Sequence, residues 1–351
     1  MKLDDVARQA RVSVSTVSRV LSNTGRVKES TRSRVLRIAK ELHYRPDIHA
    51  QTLAGRKSRT LGLIVSNLQN PFFLDIFQVM ESDAKRRGYE VVVANTDYHP
   101  RQLGSSVQWM LGHRLAGLAV IVSEKDPEVI AELAGGTIPV VFYDVGAPGP
   151  NVTNIKTDYF RGTQKVVEYL YSLGHRRMAY VGHHERLQPL NDRKKSFLKA
   201  VARLSSEITS ATAAGGDSPD GGRQAMRNLL ELGFNPTAVI CVNDFMALGV
   251  LRHLRERGLR VPEDVSVVGY DNIHLSEFAY PPLTTVNVPR DRIGHSVCAA
   301  LLPERGASSS RDVVIEPELI VRDSTGPAAG TQATLAMHAP VGDGGDRPGA
   351  A

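Results

Sequence analysis

Between Ser13 and Leu21 the chain sets short hydroxyl side chains beside one arginine, a combination suited to reading nucleic acid rather than to breaking bonds. At helical spacing Val14, Ser15, Thr16, Ser18 and Arg19 face outward while Val17, Val20 and Leu21 turn inward. Hydroxyls near a helix N-terminus can approach base edges and phosphates closely, and Arg19 can pair with guanine through two hydrogen bonds. Catalytic chemistry finds less support. Cys241 and Cys298 lie among apolar neighbours without metal-ligand spacing, so buried, reduced thiols are expected. There is no Gly-rich phosphate loop, no metal cluster and no Ser/His/Asp arrangement in a recognisable context, so neither an enzyme nor a bound cofactor is expected. His175, in Gly174-His175-Arg176-Arg177, reads as the end of a helix before a strand rather than as a catalyst.

The elements that hold these residues follow from periodicity. Three short helices are predicted over Leu3–Ala10, Val14–Leu21 and Ser30–Leu42, with Ser13 as N-cap of the second and Val35, Ile38, Ala39 and Leu42 inward on the third. Two helices joined by a tight corner at Arg11-Val12-Ser13 make a helix-turn-helix. Pro46 stands at a natural helix start, and Gly55 closes a short segment, Asp47–Ala54. After residue 59 strand-like runs alternate with amphipathic stretches. Examples are Leu61–Val65, Phe72–Arg87, Glu90–Ala94, Gly117–Val122 and Pro139–Tyr143, then Met178–Val181, Val239–Val242 and Val265–Gly269. Such alternation predicts βαβ units, and its length predicts two doubly wound parallel-sheet lobes with a ligand cleft at the carboxyl ends of their strands. From Gly326 to Ala351 a Gly-, Ala- and Pro-rich stretch without periodicity predicts a disordered tail.

Charge separates the two parts. Residues 1–60 carry 14 Lys and Arg against 5 Asp and Glu, while the remaining chain carries 29 against 32. A basic head on a near-neutral body implies a polyanion partner for the head alone. The N-terminus lacks an apolar signal core and no stretch is apolar enough to span a bilayer, so a cytoplasmic protein without a membrane partner is expected.

Leu3-Asp4-Asp5-Val6-Ala7 and Val12-Ser13-Val14-Ser15-Thr16-Val17-Ser18-Arg19-Val20-Leu21 resemble the head of LacI/GalR-family repressors. The likeness continues through Glu41-Leu42-His43-Tyr44-Arg45-Pro46, Asn70-Pro71-Phe72-Phe73, Asn243-Asp244, Val268-Gly269-Tyr270-Asp271 and Pro281-Pro282-Leu283-Thr284-Thr285, up to about Thr325. It implies a small all-α head followed by an α/β core like that of type I periplasmic binding proteins. The implied divisions are 1–45 for the head and 46–58 for a hinge helix and linker. Residues 59–158 with 290–317 form one lobe, and 159–289 with 318–325 form the other. By the same resemblance Val14, Ser15, Thr16 and Arg19 contact operator DNA. Leu53, with Ala54 beside it, is a wedge for the minor groove, on a segment that becomes helical when a dimer sits on DNA. Ser22 stands where the family usually has Asn, and Asn23 is the substitute for backbone contacts.

The resemblance also implies an effector site for a sugar or sugar derivative, built from Asn70, Phe72, Phe73, Asp144, Arg193, Asn243 and Asp271. A polyol has weakly apolar C–H faces and a polar rim, so it needs aromatic and hydrogen-bonding partners together. Each residue alone has a plainer reading as a core aromatic, a cap or a solvated helix start; their joint order along the chain supports the site. Two departures mark it. Val288 stands where sugar binders commonly have Gln, and Gly216-Asp217-Ser218-Pro219 lacks an aromatic found in many relatives. Arg193, with Lys194 and Lys195, leaves room for an anionic ligand. The function implied is a homodimeric regulator, a repressor on a palindromic operator, whose DNA affinity is coupled to its ligand. The alternative is a solute-binding protein of the periplasmic sugar-binding type.

Overall fold

The computed structural model describes residues 3–21, 25–44, 58–184, 188–303 and 312–329, and the chain forms two units, Met1–Ser58 and Arg59–Ala351. The expected hinge segment Asp47–Ala54, Ser22, Asn23 and most of the tail lie outside the described residues.

The first unit contains α1 (Leu3–Ala10), α2 (Val14–Leu21) and α3 (Glu29–Glu41). Val6, Ala7 and Ala10 of α1 meet Val17 and Val20 of α2 and Val35, Ile38 and Ala39 of α3 in one small core. Leu21 and Leu42, read as inward, pack at its margin. The turn is made by Arg11 in the left-handed region (φ 52°), and Ser13 Oγ caps α2 by accepting the Thr16 amide at 3.2 Å.

The second unit has two six-stranded sheets. In the first, β1 (Thr60–Val65), β2 (Glu90–Asn95), β3 (Gly117–Ile121), β4 (Val140–Tyr143), β5 (Val152–Thr157) and β11 (Val313–Ile315) run in the order β11-β5-β4-β3-β1-β2. In the second, β6 (Arg177–His183), β7 (Thr209–Gly215), β8 (Ala238–Cys241), β9 (Ser266–Asp271), β10 (Thr284–Asn287) and β12 (Glu318–Ile320) run in the order β12-β10-β9-β8-β6-β7. Every pairing is parallel except β10 with β12. The central strands read as unbroken apolar runs because helices cover both of their faces. These are α4 (Pro71–Arg86), α5 (Pro100–Gly112), α6 (Pro127–Ala134) and α12 (Arg290–Leu301) on the first sheet. The second carries α7 (Tyr159–Ser172), α8 (Gln188–Leu204), α9 (Pro219–Glu231), α10 (Asp244–Glu256) and the short α11 (His274–Glu277).

The chain passes between the sheets after β5, after β10 and between β11 and β12. Beyond the last crossing it stays ordered to Ala329, four residues into the stretch expected to be disordered. Gly326 donates its amide to Ser266 Oγ at 3.0 Å, and the Ala328 amide reaches the Leu173 carbonyl at 2.9 Å. His175 takes part in this fastening: its Nε2 lies 3.0 Å from the Gly326 carbonyl and its Nδ1 3.0 Å from Thr237 Oγ1. With Nε2 as the donor to a carbonyl, Nδ1 accepts from the threonine, and both ring nitrogens are committed to structure.

Candidate functional site: a polar cleft between two sheets and a basic helical head

In the head, Val14 is 41% exposed, Ser15 and Arg19 are exposed and Thr16 is half-buried, so the four described DNA candidates share one face of α2. Ser13 Oγ lies 2.9 Å from Ser15 Oγ and 2.8 Å from Thr16 Oγ1, a hydroxyl cluster fixed at the helix N-terminus. Asn23, Leu53 and Ala54 fall outside the described residues.

In the second unit, the strand order reverses around β1 and β6, and the carboxyl ends of the strands face one cleft. All seven effector candidates line it: Asn70, Phe72, Phe73, Asp144, Arg193, Asn243 and Asp271. Local structure puts them there. Asn70 caps α4 by accepting the Phe72 amide at 3.1 Å, and Asn243 caps α10 by accepting the Met246 amide at 2.9 Å. The N-cap role leaves each side-chain NH2 free to point onward. Asp144 follows β4 and Asp271 ends β9, with φ of 61° and 96°, backbone conformations that non-glycine residues rarely adopt and that turn their carboxylates into the cleft. Phe72 packs edge-on against Phe73, with ring centroids 5.4 Å apart.

Arg193 is the centre of the second lobe's contribution. Its Nη1 donates to the Val242 carbonyl at 2.7 Å and to Asp271 Oδ1 at 3.3 Å, and Nη2 donates to the Tyr159 hydroxyl at 3.2 Å. The guanidinium sits 4.4 Å from the Tyr159 ring centre and 4.7 Å from that of Tyr270, and its buried Nε has no partner. Burial raises the pKa of Asp271 while Arg193 opposes the rise. Burial likewise pushes Asp144 up to about 6, against donation from the Tyr159 hydroxyl and the Thr157 amide.

Several cleft residues were not foreseen. Tyr98, Tyr143, Tyr159 and Asp217 line it as well. Asp217, read only as part of a departure, is instead a hub. Its Oδ1 accepts from Asn243 Nδ2 at 2.6 Å, and its Oδ2 accepts from Asn70 Nδ2 at 3.2 Å and from the Tyr98 hydroxyl. Burial alone would raise its pKa, but nearby His183 together with Tyr98 and Asn243 holds it at about 2. Tyr98 and the preceding Asp97 are both left-handed (φ 60° and 50°), a strand exit with no strong sequence signal beyond Asn95-Thr96-Asp97. Val288 is fully buried and offers no polar atom to a ligand. The lysines near Arg193 do not join the cleft: Lys195 pairs with Asp192 at 3.6 Å on the surface, and Lys194 lines a different pocket with His184 and Thr212. Three aspartates against one arginine make the cleft acidic, which counts against the anionic ligand entertained from sequence. The free space between the lining groups is about 30 Å³, far below the roughly 300–1,000 Å³ of ordinary ligand pockets, so the two lobes are closed on one another. No group of three or more His, Cys, Asp or Glu able to hold a metal occurs among the described residues.

Comparison with known proteins agrees with this division. Residues 2–47 match the bacterial regulatory proteins of the lacI family, and residues 167–325 match the periplasmic binding protein-like domain. The chain is 33% identical over 326 residues to the HTH-type transcriptional repressor PurR of Mannheimia succiniciproducens, covering 92% of this chain and 98% of that one. It is 32% identical over 326 residues to the HTH-type transcriptional repressor CytR of Escherichia coli K12, covering 92% and 96%. Among solved structures, the lac repressor dimer bound to operator and an anti-inducer superposes with a TM-score of 0.79 at 31% identity, covering 93% and 99%.

Proposed function

This chain belongs to the LacI family of DNA-binding transcriptional repressors, and we propose that it holds a palindromic operator as a homodimer whose grip is set by a sugar-like effector in the interlobe cleft. The observation that carries the effector half of this reading is the convergence of seven residues, spread from position 70 to 271, on one cleft with stacking and hydrogen-bonding groups interleaved. The operator half is supported by the exposed face of α2, where Val14, Ser15, Thr16 and Arg19 lie together on a head of net positive charge. Arg19 is the residue for guanine, and Ser15 and Thr16 for base edges or phosphates. The solute-binding alternative loses its ground, since the relatives that the chain matches over nearly their whole length are repressors.

Pairing of two chains is supported by apolar surface left in water. Tyr280 and Phe278 are 81% and 70% exposed, and β2 is an edge strand with Val93 outward. Large apolar side chains exposed in this way are suited to an interface with another chain. A two-fold pair of heads then reads two half-sites about one helical turn apart. The ligand acts by preferring one arrangement of the lobes, and a coupling of about 1–3 kcal/mol would change operator affinity on the order of 5- to 150-fold.

The test has two stages. A thermal-shift panel of sugars and nucleosides identifies the effector, since a ligand at about 100 times its Kd stabilises by roughly 2.7 kcal/mol. Operator sites selected from random DNA are then titrated with and without it. A palindromic site whose affinity moves at least about fivefold with ligand is the expected result. A ligand that stabilises the protein yet leaves operator affinity unchanged would sink the coupled mechanism.

A further inference from the structure

We propose that Asp217 selects the effector: the cleft takes a ligand whose polyhydroxyl or ammonium end donates hydrogen bonds to this carboxylate, and refuses the carboxylate or phosphate counterpart of the same ligand. The inference rests on the effector-cleft reading above and names the chemistry of its ligand.

Asp217 lies between β7 and α9 and binds across the cleft. Its Oδ2 accepts from Asn70 Nδ2 at 3.2 Å, from Asn67 Nδ2 at 3.4 Å and from the Tyr98 hydroxyl, and its backbone carbonyl accepts from Asn67 Nδ2 at 3.1 Å. Those three side chains come from the loops after β1 and β2, in the first lobe. On its own side Oδ1 accepts from Asn243 Nδ2 at 2.6 Å, and His183 Nε2 stands 3.5 Å away. With about 30 Å³ between the lining groups, a sugar-sized molecule enters only when the lobes part. Parting takes Asn67, Asn70 and Tyr98 away from a buried carboxylate. A buried acceptor stripped of its donors costs about 1–3 kcal/mol, and more for a charged one. The ligand over which the lobes close again must therefore bring donors of its own. Hydroxyls and ammonium groups do so, whereas a carboxylate or phosphate brings none and adds like charge.

The rest of the cleft acts in the same direction. Asp144 and Asp271 also line it, and the lining cation, Arg193, is already committed to Asp271, Val242 and Tyr159 through Nη1 and Nη2. Its unpartnered Nε offers one donor, enough for a ligand hydroxyl oxygen but not for a phosphate. A site built around buried polar groups discriminates strongly against a ligand that leaves them unpaired.

The experiment is calorimetric titration of the full-length protein with matched probes: glucose, glucosamine and glucose 6-phosphate; ribose and ribose 5-phosphate; cytidine and cytidine monophosphate. In the set that binds, the neutral or amino member is expected to bind at least about tenfold tighter than the phosphate. Asp217→Asn, which keeps the shape and removes the charge, should narrow that ratio about tenfold. Tyr98→Phe removes a donor that competes with the ligand and should tighten the neutral member a few-fold, a gain that a merely structural tyrosine would not give. A phosphate that binds tightest, an unchanged ratio in a folded Asp217→Asn, or a Tyr98→Phe that weakens all members alike would each overturn the proposal alone. If no probe binds and none raises the melting temperature, the effector-cleft reading itself fails, and this proposal with it.

Discussion

At Asp144 a left-handed backbone turns a carboxylate into an acidic, closed cleft, and its pKa rises from 3.8 to about 6 because burial penalises the charge. Asp217, in the same cleft, goes the other way, to about 2, because the donors around it outweigh burial. The two give opposite pH signatures. Asp144 binds its proton more tightly folded than unfolded, so its contribution is fully present below about pH 4 and is lost as pH rises through about 6, by up to roughly 3 kcal/mol. Asp217 contributes above about pH 4, and that contribution is lost as pH falls through about 2. Asp144→Asn should therefore gain stability relative to the parent as pH rises from 4 to 7, read as the difference between their melting temperatures across that range. A flat difference would show that Asp144 titrates like a solvated carboxylate. The seven cleft candidates were legible because they stand in an order the chain shares with a known family, six of them at a strand end or a helix start and Arg193 inside α8. Asp217 and Tyr98 were not, since nothing local distinguishes an aspartate before a Ser-Pro cap from one that bridges two lobes.

Helices and strands divide in the same way. The head and the central strands were readable because their periodicity comes from burial, on one face for the helices and on both for the strands. β7, Thr209–Gly215, was missed: it is an edge strand with the sequence Thr-Ser-Ala-Thr-Ala-Ala-Gly, and only its pairing with β6 makes it a strand. β5, β10, β11 and β12 were missed for a related reason, being short or polar and ordered by their neighbours. The crossing of α9 and α10 rests on two glycines. A Cβ on Gly249 would stand 1.7 Å from the Pro219 carbonyl oxygen, and one on Gly222 would stand 2.1 Å from that of Met246. Gly249→Ala favours the helix locally by about 1 kcal/mol but forces the two backbones apart, which typically costs 1–3 kcal/mol or more. The expected result is a net loss of stability in chemical denaturation, with weaker ligand binding because Asn243 caps the displaced helix. A variant as stable as the parent would contradict the close approach.

For the whole molecule, the separation of a basic head from an α/β core was written in composition, and the two units follow it. Association belongs to this scale too. Tyr280→Asp places a charge on the exposed apolar surface while leaving the cleft untouched, and should shift the protein from dimer to monomer in sedimentation. Operator affinity should fall steeply with it, since one head alone contacts half the site. A dimer that survives the change would move the interface elsewhere.

The sequence by itself determined the helix-turn-helix of the head, the central strands, the two-lobe class and a set of candidate residues for a polyol, because periodicity, caps and motifs are written along the chain. Tertiary structure alone decided that the free space in the cleft is about 30 Å³, and that His175 and the Ala328 amide fasten the chain beyond β12. It also decided that Asp217 joins the lobes. Each of these depends on which distant groups satisfy a buried donor or acceptor, and that pairing is fixed only when the sheets have come together.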